Sequence, residues 1–237
     1  GQAGTGPGAV FRLQEEGEEP VSVLYTSPSL QEPTALEWSA AGELLIAASR
    51  GAEPGALYRL NTSTGGIAQL TAAGDTTLRS PVDLLRTAQN ELLIVDPDAP
   101  GPTATSSGAV YRKLPGQTAI LPFAADSLFR SPQQICRGPD GRLYLADRAA
   151  DPEGTGGNTG AVFVLDEVTG ERLDWIRGLQ FGDPSGVALY DDSTLVITDP
   201  SLAPQAGALL YHRPASGRTG MLSPALPAYR AITRSLV

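Results

Sequence analysis

Residues 132–176 read PQQICRGPDGRLYLADRAADPEGTGGNTGAVFVLDEVTGERLDWI. Four short runs stand out: QQICR, LYLAD, AVFVL and RLDWI. Each is rich in Leu, β-branched or aromatic residues. The turn clusters GPDG and DEVTGE and one longer Gly-rich loop separate them. That is the signature of four short strands joined in a meander. No segment of the chain sustains a 3.6-residue apolar period over 11 residues or more, so helices are not expected.

Working outward, the same pattern recurs at a period of about fifty residues. Gly-Ala-Val/Leu occurs at Gly8, Gly55, Gly108, Gly160 and Gly207, at spacings of 47, 53, 52 and 47. Pro33, Pro81, Pro132 and Pro184 are spaced 48, 51 and 52. Ala48, Asp96, Asp147 and Asp199 close the runs GELLIAAS, NELLIVDP, GRLYLADR and STLVITDP at the same 48, 51 and 52. Three landmarks in one register define a true repeat. In each copy Pro opens the first strand, the Ala/Asp column closes the second, Gly-Ala-Val/Leu opens the third, and a polar turn leads to the fourth.

One such unit cannot bury both of its faces, so copies must stack. Four-stranded units of 40–50 residues stacked radially make a β-propeller. The expected fold is therefore all-β: one propeller domain over 1–237, with blades at about 32–80, 81–131, 132–183 and 184–222. A split blade from 1–31 plus 223–237 would close a ring of five by pairing the termini. In that blade, strand 9–13 should pair with 21–25, and the tail near 228–237 should join them. The alternative is a ring of six or more blades, with this chain a fragment.

Composition bounds the function. There are 26 acidic and 17 basic residues, a net charge of −9. A nucleic-acid surface needs a basic footprint, so no nucleic-acid partner is expected. No apolar run approaches the roughly 18–20 residues of a membrane-spanning helix. The chain starts at Gly1, as a processed secretory precursor or a trimmed chain would, and a secreted or periplasmic setting is the expectation. Cys136 is the single cysteine, which excludes an internal disulfide. It lies in a first strand, where alternation sets it opposite to Ile135 as a packed thiol.

PQQICRGPDGRLYLADR (132–148) and DPSGVALYDDSTLVITDP (183–200) resemble NHL-type repeats. They are similar also to the wider superfamily of gluconolactonase-like lactonases and streptogramin B lyase. The resemblance covers most of the chain as a repeat pattern and speaks for fold more than for activity. Lactonase-like members hold a divalent metal with Glu, Asn and Asp from different blades. The resemblance thus offers Asp96, Asp147 and Asp199 as candidate oxygen ligands for Ca²⁺ or Mg²⁺. The competing expectation is structural. An Asp that repeats in several blades solves a per-blade problem, accepting backbone N–H bonds of its own turn. On that reading no cofactor is expected, and Ala48 in the same column is harmless.

The lyase-like members need a catalytic His. His212, the only histidine, sits at the end of a third strand, away from the channel mouth, where a solvated side chain is expected. One His and one Cys exclude Cys/His zinc sites, and no Gly-x-Ser-x-Gly elbow, P-loop or dinucleotide fingerprint occurs. The Gly-rich stretches 4–8 and 154–160 precede strands, so they lack a phosphate-cradling helix dipole and read as mobile loops. The second-to-third strand distances are 7, 12, 13 and 8 residues, and the two long loops, after Asp96 and Asp147, are neighbours on one face. Variation concentrated on one face marks a binding face. Glu15, Glu16, Glu18 and Glu19 read as a solvated turn, and Trp38 and Trp175 as packing residues. The sequence thus favours a non-catalytic propeller that binds a protein or small-molecule ligand at its loop face or channel. The alternative is a divalent-metal-dependent, lactonase-like hydrolase or lyase.

Overall fold

The computed structural model describes residues 7–13, 21–103, 106–154, 160–177, 181–202 and 207–223. Eighteen strands and no helix are present among them. A two-stranded sheet pairs β1 (Gly8–Leu13) with β2 (Val21–Ser27). Four four-stranded antiparallel meanders follow. The first holds β3 (Pro33–Trp38), β4 (Leu44–Arg50), β5 (Glu53–Leu60) and β6 (Ile67–Gln69). The second holds β7 (Asp83–Arg86), β8 (Leu92–Pro100), β9 (Ser107–Lys113) and β10 (Ile120–Ala124). The third holds β11 (Pro132–Arg137), β12 (Leu143–Asp147), β13 (Ala161–Leu165) and β14 (Arg172–Trp175). The fourth holds β15 (Gly186–Asp191), β16 (Thr194–Asp199), β17 (Ala208–Arg213) and β18 (Arg218–Ser223). Strand 9–13 does pair with 21–25, through Val10↔Tyr25 and Leu13↔Val21. The tail near 228–237 and the acids at 15–19 lie outside the described residues.

Successive sheets pack face to face, so each blade is buried by its neighbour. Leu45 and Leu57 of one sheet meet Leu84, Leu92 and Ile94 of the next. Leu93 and Val95 meet Ile135, Leu145 and Phe163, and Tyr144 and Val162 meet Leu195, Ile197 and Leu210. Each such side chain removed from water stabilises by about 1.5–3 kcal/mol. Ile135 and Cys136 belong to the cores on opposite faces of their blade, as strand alternation requires, and Cys136 is buried.

The first strands β3, β7, β11 and β15 lie side by side. Asp83 Oδ2 accepts the N–H of Ile135 at 2.9 Å, and Gln134 Oε1 accepts that of Val187 at 3.0 Å. Both acceptors stand two residues after the Pro. In the first meander that position is Ala35, and Thr34 instead donates its hydroxyl to the carbonyl of Pro81 at 2.6 Å. Polar side chains on these inner strands thus link one blade to the next.

Candidate functional site

The repeated residues converge where the chain passes from blade to blade. Three residues before each Pro, a large apolar side chain is buried: Leu30, Leu78, Phe129 and Phe181. The two N–H groups that follow it point at the acid of the coming blade. Asp96 accepts from Arg79 (2.6 Å) and Ser80 (3.2 Å), and from Asp98 (3.1 Å) in the turn beyond. Asp147 accepts from Arg130 (2.8 Å), Ser131 (2.9 Å) and Ala149 (3.1 Å). Asp199 accepts from Gly182 (2.6 Å), Asp183 (2.9 Å) and Ser201 (3.1 Å). All three carboxylates are fully buried.

The Pro of each joint packs on the Gly of the preceding blade's third strand. A Cβ on Gly55 would stand 2.3 Å from Pro81 Cδ, one on Gly108 2.2 Å from Pro132 Cδ, and one on Gly160 2.3 Å from Pro184 Cδ. Gly8 meets Pro33 in the same way at 2.8 Å, which seats β1 before the first meander.

Burial pushes the carboxyls of Asp96, Asp147 and Asp199 above the ordinary value of 3.8, and the donated backbone N–H bonds pull against it. The column breaks at Ala48. There the backbone bond from Ser49 N to the Glu32 carbonyl (3.0 Å) matches that from Arg148 N to Ser131 (3.2 Å). Glu32, just before Pro33, takes a φ of 44°, whereas Ser80, Ser131 and Asp183 stay at negative φ.

A lactonase-like cation would need several oxygen ligands converging within ~2.3–2.6 Å. Among the described residues no three of His, Cys, Asp and Glu gather closely enough to hold an ion. Each of the three carboxylates is engaged by the backbone of its own joint. Asp96 lies at the joint before the second meander, Asp147 at that before the third and Asp199 at that before the fourth.

His212 departs from expectation. It lies in β17 but is buried, with its ring 6.1 Å from that of Tyr144 in the preceding blade. The cause is register: His212 pairs with Leu195 and so joins the row that faces the third meander. Its Nδ1 is buried without a hydrogen-bond partner. Desolvation holds its pKa below 6.5, against a smaller opposing pull from Asp140. Asp140 itself accepts the Tyr144 hydroxyl at 3.0 Å. His212 lies at the strand ends remote from the Asp joints, so it joins none of the candidate acids.

The long connection after Asp96 is also more ordered than its Gly/Pro/Ser composition implies. β8 continues to Pro100, Pro100 pairs with Ser107, and the Thr103 and Ser106 hydroxyls each accept the other residue's backbone N–H. Its neighbour after Asp147 is described to Gly154. Trp38 and Trp175 both pack on blade cores, and Arg177 lies 4.3 Å above the Trp175 ring.

No protein-family model matches the chain, and no curated protein matches it. Solved structures do. A gluconolactonase from Xanthomonas campestris is 19% identical at a TM-score of 0.57, over 86% of this chain and 66% of that one. TolB from Acinetobacter baumannii is 16% identical at 0.54, over 86% and 46%. The WD40 β-propeller domain of Doa1 is 9% identical at 0.59, over 93% and 63%. The chain folds as a β-propeller. At these identities the likeness carries the fold alone, and the propeller spans two thirds or less of each of these relatives.

Proposed function

We propose that this propeller is a non-catalytic binding protein that uses its loop face or channel for a protein or small-molecule ligand. The observation that supports the reading is the use made of the repeated polar residues. Asp96, Asp147 and Asp199 each take up three backbone N–H groups. Asp83 and Gln134 tie neighbouring inner strands. These groups serve the joints, and what varies from blade to blade is the loops beyond the Asp residues. The β8–β9 connection is among the loops that differ in length between blades, which suits recognition.

The likeness to a gluconolactonase favours a second reading. There the chain would be a Ca²⁺- or Mg²⁺-dependent lactonase-like hydrolase or lyase, with Asp96, Asp147 and Asp199 near the metal. Acid release from D-glucono-1,5-lactone at constant pH separates the two. With either cation added, no rate above spontaneous hydrolysis is expected. A cation-dependent rate that Asp147→Ala abolishes would replace the binding reading with the enzymatic one.

A further inference from the structure

At the strand ends opposite the Asp joints, the first and second meanders flank an open pocket of about 310 Å³. Its floor is apolar, formed by Leu45, Leu70 and Leu92. Three cations stand around it, Arg59 from one blade and Arg86 and Lys113 from the next, with Glu43 the one acid among the lining residues.

The pairing registers place these groups. Arg59 is opposite Leu45 in the first meander. Arg86, Leu92 and Lys113 form one row across β7, β8 and β9 of the second. Directly paired residues share a sheet face, so both sets look into the same space between blades.

The charges are not balanced within the cavity. Glu43 Oε2 lies 3.5 Å from Arg59 Nε. Arg86 Nη1 donates to Asn90 at 3.0 Å, and Lys113 Nζ donates to the Gln117 carbonyl, both neutral partners. Glu37, whose Oε2 accepts the backbone N–H of Arg86, brings a second negative charge close by, which leaves three cations against two acids. Burial, then the charge of Arg59, keeps the Lys113 pKa below 10.5. Blade packing does not call for a cation here. The equivalent rows place Leu60 opposite Leu44 and Leu165 opposite Leu143, and His212, held a weaker base by desolvation, opposite Leu195. Lys113 is nonetheless the sole lysine of a chain carrying −9. By contrast, a second cavity of about 240 Å³, beside β10, has its arginine paired, Arg172 Nε to Asp126 at 2.9 Å.

We propose that the cavity between the first two meanders binds a small amphiphilic carboxylate, its head held by Lys113, Arg86 and Arg59 and its apolar body on Leu45, Leu70 and Leu92. Like charges gathered around one pocket favour an anionic guest. The guanidinium forks suit a carboxylate. At ~30 Å³ for each water-sized unit, the space takes a body of about ten heavy atoms. The site faces away from the loops of the binding reading and stands independently of it.

The test is calorimetric titration of the chain at low ionic strength with sodium octanoate, 1-octanol and inorganic phosphate. Octanoate should saturate at one site per chain and weaken with added salt. Lys113→Leu, which installs the side chain found at Leu60 and Leu165, should weaken octanoate by about tenfold or more and leave octanol unchanged. Lys113→Gln serves should the Leu variant fail to fold. Absence of saturable octanoate binding would overturn the proposal. So would octanoate binding by the Lys113 variants at parental affinity. Inorganic phosphate binding as tightly as octanoate would do the same, because the apolar floor would then contribute nothing.

Discussion

His212 shows how one side chain couples the fold to pH. Its folded pKa is depressed, so the unfolded chain takes up a proton first as pH falls. The stability it contributes is whole above about 6.5 and is lost as pH drops from there toward the folded value. Melting temperature should therefore fall between about pH 7.5 and 5.5. His212→Leu, the residue type at Leu60 and Leu165, should flatten that slope and remove a buried unpaired nitrogen. A parental slope unchanged in the variant would contradict the assignment. The three joint carboxyls act with the opposite sign. Their folded pKa values are raised, so falling pH through those values stabilises the fold, fully so below 3.8. Loss of stability in acid must come from other groups, His212 among them. The sequence placed His212 on its strand end but not its surroundings, because what faces a strand residue belongs to another blade.

At the scale of the element, the Gly, Pro and Asp landmarks share one register because they meet at one joint. Gly55 packs on Pro81, and the N–H groups just before Pro81 go to Asp96. Two glycines separate the packing demand from the conformational one. Gly42 has φ +77° and open space around it, so Gly42→Ala should cost about 1–2 kcal/mol from backbone strain alone. Gly55 carries no such φ, but its Cβ would strike Pro81, so Gly55→Ala should cost ~3 kcal/mol through overpacking. Adding Pro81→Ala should recover part of the Gly55→Ala loss, and urea unfolding of the four proteins in that cycle measures the coupling. Strictly additive losses would mean that the Gly–Pro contact does not shape the joint. The buried Leu30, Leu78, Phe129 and Phe181 column was equally present in the sequence. It escaped notice because those residues sit in segments that read as connections, where a single apolar residue carries no periodicity.

For the whole molecule, repetition made the architecture legible. The blade frame and the strand order followed from three landmark series, and the likeness to propellers of 9–19% identity agrees with the propeller fold. The candidate site was less legible. A column of acids looks the same in sequence whether its members converge on one ion or each serve a separate joint, and only the hydrogen bonds of Asp96, Asp147 and Asp199 tell these apart. The cationic cavity was hidden for a related reason. Lys113 shows in the sequence as a departure from Leu in the GAVFRL, GALYRL, GAVYRK, GAVFVL, GALLYH series, as His212 does, but Arg59 comes to it from the preceding blade. Asp96, Asp147 and Asp199 act as joints between successive blades, and the direct test is thermal unfolding of the parent and of Asp96→Ala, Asp147→Ala and Asp199→Ala, each in EDTA and in millimolar Ca²⁺ or Mg²⁺. The parent should melt at the same temperature in all three solutions. Each variant orphans three backbone N–H groups, which should cost about 1–3 kcal/mol for each one that stays out of water, or roughly 2–4 °C per kcal/mol at this size, with no rescue by cation. A rise in the parent's melting temperature with Ca²⁺ or Mg²⁺, abolished in all three variants, would contradict that role.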